Sequence, residues 1–134
     1  MKAETKAKGL DVITYTGEGY QTMMSFGSWK IAMVEPPTHE IGQPITVMSR
    51  HLETDEVFVL LKGNCTIYTA GMEAELSEIE ETVMEPFKLY NIRRGTWHAR
   101  LLPEGAQLLI VENEDTGNHN SEFAQLTKEI EWNV

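Results

Sequence analysis

The sequence contains very little cysteine, and this excludes an intramolecular disulfide. Cys65 is the only cysteine among the 134 residues, so nothing points to the oxidising compartments in which small disulfide-bonded domains fold. Cys65 lies in the β-branched stretch NCTIYTAG, where we expect a small buried hydrophobic side chain rather than a nucleophile. The first residues also lack the apolar core of a signal peptide. These features favour a cytoplasmic protein.

Long apolar runs are missing as well, and basic residues are scarce. No stretch is long and apolar enough to predict a membrane-spanning helix. The chain has 11 Lys and Arg against 21 Asp and Glu, a formal net charge of −10. No basic patch could form without being outweighed by acid, which argues against nucleic acid or an anionic membrane as partner.

What the sequence does contain is a series of short β-branched and aromatic runs between turn signals, typical of an all-β antiparallel sandwich or barrel. The length fits one domain, which we assign to residues 10–134. Residues 1–9 are polar and lysine-rich and are expected to form a flexible arm. The expected strands are Tyr20 to Phe26, Trp29 to Val34, Ile45 to His51, Val57 to Leu61, Cys65 to Thr69, Thr82 to Met84, Lys88 to Ile92, Trp97 to Leu102 and Gln107 to Glu112.

Two segments depart from this β pattern. Met72, Leu76, Ile79 and Val83 follow one another at helical spacing within a glutamate-rich stretch, which predicts a helical turn or an irregular insertion there. Residues 121–131 predict a short C-terminal helix, capped by Ser121 or Thr127.

Ionisable residues cluster at the edges of three predicted strands. Strand alternation puts His51 and Glu53 on one face, starts the next inward face with Glu56, and groups His98 with Arg100. If these faces point into a barrel, all five side chains meet there. Two imidazoles with one or two carboxylates suit a divalent metal that keeps open positions for substrate. The same groups without a metal suit proton transfer, and a third interpretation is a set of structural polar residues.

The stretches HLETDEVFVLLKG and YNIRRGTWHARLLPEGAQLLIVEN resemble the two motifs of the cupin superfamily. Glu56 and Gly63 match the glutamate, six residues and glycine that end the first motif. Residues 93–98, RRGTWH, match the PxGxxH form of the second motif, with Arg93 in place of the proline. The wider pattern resembles small bacterial single-domain cupins over nearly the whole chain. The resemblance implies a jelly-roll barrel, or double-stranded β-helix, with one pocket at its mouth, and pairing into a homodimer.

The resemblance also implies a metal site with an incomplete ligand set. Metal-binding cupins offer two histidines and a glutamate from the first motif and one histidine from the second. Glu56 and His98 fall on ligand positions, and His51 takes the place of one first-motif histidine. In one alignment Ser49 stands where the other histidine would be; in an alignment shifted by two residues, Glu53 stands in the second place. The implied cofactor is one divalent metal (Mn, Fe, Zn or Ni) held by His51, Glu56 and His98.

Two functions from different classes follow. The first is a metal-assisted isomerase or lyase acting on a small polar metabolite, such as a sugar, keto acid or ureide, with Glu56 and His98 as catalytic residues. Arg100 and Glu53 are then the candidate substrate-binding residues, Arg100 because a guanidinium holds a carboxylate in a bidentate manner. The alternative for Arg100 is an ion pair with one of the many acids. The second function is a non-catalytic cupin that binds or senses a small molecule.

Overall fold

The computed structural model describes residues 3–132, and these are almost entirely β-structure. Two 3₁₀ turns, Thr38–Glu40 and Asn118–Asn120, interrupt the strands. The strands are β1 (Ala3–Ala7), β2 (Leu10–Ile13), β3 (Gly19–Phe26), β4 (Trp29–Glu35), β5 (Ile45–His51), β6 (Glu56–Lys62), β7 (Thr66–Thr69), β8 (Glu80–Val83), β9 (Leu89–Ile92), β10 (His98–Leu101), β11 (Gln107–Asn113) and β12 (Ser121–Ile130).

Two five-stranded antiparallel sheets face one another. One has the order β12-β5-β10-β7-β8 and the other β3-β4-β11-β6-β9. From β4 onward the chain alternates between the two sheets at every connection except the β7–β8 hairpin. This alternation is the winding of a double-stranded β-helix, so the predicted all-β jelly-roll barrel is confirmed. All nine predicted strands are present, and their ends differ from the prediction by at most two residues.

The core lies between the sheets because each central strand turns alternate apolar side chains inward. On β6 the buried positions include Phe58 and Leu60, and the paired strand β11 contributes Leu108 and Ile110. All four side chains are at most 1% exposed. Both strands also carry a buried carboxylate on this inward face, which prepares the site described below.

The N-terminal residues form a small ribbon of their own. Strand β1, inside the predicted arm, pairs antiparallel with β2, and this two-stranded sheet is separate from the two large ones. The flexibility of residues 1–9 stays a prediction. Residues 1 and 2 of the arm, like residues 133 and 134, lie outside the described residues. Within residues 3–132, no helix has the length and apolar character needed to cross a membrane.

Of the two interpretations of residues 72–83, the helical turn is wrong, and the irregular insertion is what the structure shows between β7 and β8. Within this segment only Leu76 packs against the core, while Met72, Ile79 and Val83 are exposed. Two long-range hydrogen bonds reach the Glu73 carbonyl, from the Trp97 indole at 2.8 Å and from an Arg50 guanidinium nitrogen at 2.9 Å. The following residues then pair with β7 as β8. Distant partners thus satisfy backbone groups that a helix would satisfy internally.

The C-terminal helix expected over residues 121–131 is also wrong, since these residues form β12. This strand pairs with β5 from Ser121 opposite His51 to Ile130 opposite Ile45. The pairing covers the edge of β5, which would otherwise expose a row of unpaired N–H and C=O groups. The gain from closing that edge outweighs the local helical tendency of the segment.

Candidate functional site

Three predicted ligand residues meet at one end of the barrel. His51 is the last residue of β5, Glu56 the first of β6, and His98 the first of β10. Strands β5 and β10 belong to one sheet and β6 to the other, so the cluster bridges the two sheets. One ligand atom from each residue lies within 4.8 Å of the others.

Local hydrogen bonds bring the two motif loops together. The Gly95 N–H donates to the His51 carbonyl at 2.8 Å, which joins the turn before β10 to the end of β5. The Asp55 carboxylate accepts from the Arg94 N–H at 2.8 Å and from the Asn91 amide at 3.1 Å. These hydrogen bonds hold the pKa of Asp55 below its ordinary value. Asp55 therefore joins the first and second motifs by hydrogen bonds and does not line the pocket.

Both imidazole rings contact the same carboxylate oxygen. The Nε2 atom of His98 lies 3.0 Å from Oε1 of Glu56, and that of His51 lies 3.3 Å from it. Glu56 and His98 are 4% and 6% exposed, so their contact is almost completely shielded from solvent. The two ring centroids are 5.3 Å apart. The Nδ1 atom of His51 lies 2.8 Å from the Ser121 hydroxyl, a second contact that orients its ring.

The hydrogen bond on the far side of His98 decides what this cluster can hold. Nδ1 lies 2.9 Å from the Thr96 carbonyl, which only accepts, so Nδ1 carries a proton. In the neutral ring the Nε2 lone pair then faces the Glu56 oxygen. Two lone pairs this close require either a proton between them, on the ring or on the carboxyl group, or a metal ion.

The observed spacings also fit a metal ion. Two donor atoms each about 2.1 Å from a metal are about 3.0 Å apart at an octahedral angle and about 3.4 Å apart at a tetrahedral one. The 3.0 and 3.3 Å separations between Glu56 Oε1 and the two Nε2 atoms lie in this range. His51, Glu56 and His98 could thus hold one metal ion in the two-histidine, one-carboxylate arrangement that leaves positions open for a ligand.

Electrostatics within the cluster favour an ionised Glu56. Burial acts to raise its pKa, but the hydrogen bonds from His51 and His98 outweigh burial and hold the pKa below its ordinary value. The same Glu56 hydrogen bond raises the pKa of His51, against the opposing effect of burial. The carboxylate is therefore available as an anionic ligand at neutral pH.

A second group of polar side chains belongs to the same cavity and was missed in the sequence. Lys30 on β4 and Glu112 on β11 are direct cross-strand partners, and both are at most 9% exposed. The Tyr20 hydroxyl donates to Oε2 of Glu112 at 2.6 Å. Burial, and then the negative charge of Glu56, raise the pKa of Glu112, while the Tyr20 hydrogen bond and Lys30 oppose the rise. We call Tyr20, Lys30 and Glu112 the second wall.

A signal for this wall was present in the strand pattern. On β4 the inward positions are Lys30, Ala32 and Val34; on β11 they are Leu108, Ile110 and Glu112. A charged residue at the end of an otherwise apolar inward face indicates either the rim or a buried site. The register that places the two charges opposite one another could not be obtained from either strand alone.

The cavity between the cluster and the second wall has a volume of about 360 Å³. This is near the lower end of the roughly 300–1,000 Å³ typical of small-molecule sites. Ser49, the residue aligned with the first-motif histidine, lines the cavity and lies opposite His98 in the strand register.

Arg100 also lines this cavity, two residues beyond His98 on the same strand. Its guanidinium lies 5.6 Å from the centroid of the Phe58 ring, and among residues 3–132 it has no ion-pair partner. The alternative of an ion pair with an acidic residue is therefore not seen. Arg100 borders a second cavity of about 340 Å³ as well.

Glu53, the other candidate for ligand or substrate contact, is placed differently. Its side chain is exposed, and it belongs neither to the residues that line the cavity nor to the His51 group. Its backbone carbonyl accepts a hydrogen bond from the Asn113 amide at 3.0 Å. The structure thus brings four of the five clustered residues to one cavity and leaves Glu53 at the surface.

Comparisons with known proteins place the fold. No family model and no curated protein matches the sequence. A cupin-2 domain protein from Shewanella frigidimarina is 16% identical, with a TM-score of 0.53 over 75% of this chain and 85% of that one. Pac13 from Streptomyces, a nucleoside dehydratase seen with uridine, is 8% identical, with a TM-score of 0.60 over 85% and 84%. Hydroquinone 1,2-dioxygenase from Sphingomonas sp. TTNP3, with 4-hydroxybenzoate bound, is 10% identical, with a TM-score of 0.59 over 76% and 69%.

Proposed function

Since the chain has the cupin fold, we propose that it is a metal-dependent lyase or isomerase acting on a small anionic metabolite. The observation that carries the proposal is the convergence of His51, Glu56 and His98 on one point of a small cavity. Enzymes with this fold, among them the nucleoside dehydratase Pac13, support a catalytic role, although the low identity speaks for the fold alone. Mn²⁺, Fe²⁺, Zn²⁺ and Ni²⁺ are the metals that the donor set suits.

The charges of the cavity indicate the charge of the ligand. Glu56 and Glu112 contribute two negative charges, and Lys30 and Arg100 contribute two positive ones. With neutral imidazoles the sum is zero, so a divalent metal would leave the cavity with an excess of two positive charges. In a protein of net charge −10, a local excess of positive charge favours an anionic ligand. A carboxylate-bearing sugar or keto acid fits better than a neutral ureide.

The side chains that line the cavity would have separate roles in catalysis. A bound metal would polarise a substrate carbonyl or hydroxyl, as a Lewis acid does. Arg100 presents several N–H donors to the cavity without an ion-pair partner among residues 3–132, and these would hold a carboxylate in one orientation. The guanidinium lies over the Phe58 ring at a distance that allows a cation–π interaction.

Metal binding provides the first test. The full chain would be incubated with each of the four metals, passed through a desalting column and analysed for metal content. We expect about one metal ion per chain for the wild type and for His39→Ala, an exposed histidine outside the site, and a loss of binding for His98→Ala and Glu56→Gln. Equal metal content in all four proteins would refute the metal site.

Catalysis is tested separately through proton exchange. Lyases and isomerases of this class break a C–H bond next to a carbonyl, so the wild type with its metal should introduce deuterium from D₂O into one member of a panel of keto acids and keto sugar acids. Proton NMR measures the loss of the C–H signal. No exchange in any member, with metal bound, would count against the enzyme and favour the alternative below.

The alternative is a non-catalytic cupin that binds or senses the same class of ligand. The observation that favours it is Ser49, which stands where the resemblance expects a further histidine and so leaves the ligand set short. Stabilisation of the wild type by an anionic ligand in a thermal-shift assay, without deuterium exchange or product, would support this function.

A further inference from the structure

Lys30 of the second wall carries a buried positive charge without an anionic partner. The residue is only 9% exposed, and its ammonium group lies 5.4 Å from the centroid of the Tyr20 ring. Within residues 3–132 this ammonium group makes no hydrogen bond and no ion pair. Glu112 is directly opposite in the strand register, but its Oε2 accepts the Tyr20 hydrogen bond and its Oε1 is closed to solvent. A buried ammonium group without an anionic partner is costly, which indicates a bound group that the chain itself does not supply.

The ammonium group can be reached from the cavity. Lys30 lines this cavity together with the His51 cluster and Arg100. Among the buried and half-buried residues within 3–132, the only side-chain nitrogen or oxygen that is both closed to solvent and without a partner is Oε1 of Glu112. Nζ of Lys30 and the guanidinium nitrogens of Arg100 also have no hydrogen-bond partner, so they are not closed to solvent. The cavity thus offers two cationic groups whose N–H donors are free and accessible.

The two cations lie in different parts of the cavity. Lys30 is on β4 in one sheet, and Arg100 is on β10 in the other. The charge of Lys30 acts to lower the pKa of His51, at the end of the barrel. The guanidinium of Arg100 instead lies over the ring of Phe58, a fully buried core residue. Two separate anionic groups, one for each cation, therefore fit this arrangement better than one group shared by both.

We propose that the ligand is a small dicarboxylate, with one carboxylate on Nζ of Lys30 and the other on the guanidinium of Arg100. This inference rests on the proposed function, because it names the substrate class of the same cavity. A dianion also balances the two positive charges by which the cavity with a divalent metal would exceed neutrality. A sphere with the cavity's volume of about 360 Å³ is roughly 9 Å across, which limits the ligand to about four to six carbons. Lys30 is then the residue that selects a dicarboxylate over a monocarboxylate.

Acids of equal carbon number test the inference. The binding of succinate and butyrate, and of glutarate and valerate, to the full chain would be measured by calorimetry, once with Mn²⁺ and once with EDTA. The measurement in EDTA removes any contribution from chelation of a metal by the ligand. In both conditions we expect the wild type to bind the dicarboxylate of at least one pair about tenfold more tightly or better, the effect of one hydrogen bond to a charged group.

Lys30→Met is the decisive variant, because it keeps the length and the apolar stem of the side chain and removes the ammonium group. We expect it to bind both members of each pair equally, with a monocarboxylate affinity close to that of the wild type. Lys62→Met is the matched control: Lys62 is exposed and does not line the cavity, so this variant removes the same charge and should keep the preference. Arg100→Met should weaken the binding of both members. Thermal melting shows that each variant is folded, and Lys30→Gln takes the place of Lys30→Met if that variant does not fold.

Three outcomes would overturn the inference. They are an unchanged preference for the dicarboxylate in Lys30→Met, an equal loss of this preference in Lys62→Met, and a wild type that shows no preference or no measurable binding of any of the four acids. Failure of the proposed function is recognised by other measurements. Metal content in His98→Ala and deuterium exchange by the wild type are both measured without these four acids.

Discussion

Gly63→Ala is expected to destabilise the barrel far more than Gly95→Ala, although both glycines have a positive φ. Gly63 follows β6 with φ +76° and Gly95 precedes β10 with φ +83°. A Cβ on Gly63 would lie 2.7 Å from the Ala106 Cα and 2.9 Å from the Gly105 carbonyl oxygen, both backbone atoms. A Cβ on Gly95 would meet no atom within 4 Å. The pair thus separates backbone strain from steric conflict.

The magnitudes follow from these contacts. A non-glycine residue in the left-handed region costs about 1–2 kcal/mol, and alanine recovers about 0.4–1 kcal/mol by restricting the unfolded chain. Gly95→Ala should therefore lower the free energy of unfolding by roughly 1 kcal/mol or less. Gly63→Ala adds the displacement of a backbone segment, about 1–3 kcal/mol by analogy with overpacked cores. Its total is about 1–4.5 kcal/mol, which is at least about 1 kcal/mol more than the loss for Gly95→Ala.

Urea denaturation followed by tryptophan fluorescence measures both values. The largely buried Trp97 reports on the core, and unchanged slopes with urea would show that only stability has changed. Losses that agree within about 0.5 kcal/mol would refute the steric argument, because the 105–106 segment would then move aside freely. The test also concerns the site: the close approach joins the end of β6 to the start of β11, the paired strands that carry Glu56 and Glu112.

Three further results are expected. Asp55→Ala should lower the free energy of unfolding at pH 7 by at most about 1 kcal/mol, since the carboxylate is exposed. Because the folded-state pKa of Asp55 is depressed, this contribution to stability is present above about pH 4 and is lost as the pH falls through the folded-state pKa. Acid titration of the wild type and the variant would detect the loss. Ser121→Ala removes the hydroxyl beside Nδ1 of His51 and should weaken metal binding about tenfold in a competition titration, whereas an unchanged affinity would show that the contact does not orient the ring. Burial raises the pKa of the Cys65 thiol to about 12, so a disulfide reagent such as DTNB should react with it only as fast as the chain unfolds; rapid reaction in native buffer would contradict its burial.

Much of the site could be predicted because strand alternation is a local property. His98 and Arg100 are two residues apart, and in a strand such residues share a face whatever the rest of the fold does. The motif resemblance added the relation between Glu56 and His98, which are far apart in sequence. Glu53 shows the limit of alternation: β5 ends at His51, so the period of two no longer applies two residues later.

The two segments with helical patterns form other structures for a different reason. Residues 121–131 have some local tendency to form a helix, but the open edge of β5 pairs with them over Ser121–Gln125 and again at Ile130. Residues 72–83 are held by Trp97 and Arg50 and then by β7. Neither partner can be recognised from within the segment, since both lie many residues away.

The sequence by itself therefore determined the all-β class, the positions of nine of the twelve strands and the inward face that carries His51, Glu56 and His98. These features can be predicted without a structure because periodicity and turn chemistry act over a few residues. Only the tertiary structure decided that Tyr20 and Glu112, 92 residues apart, share a hydrogen bond in the same cavity. Strand order and register are set by long-range pairing, and they bring Glu112 on β11 next to Lys30 on β4 and Tyr20 on β3.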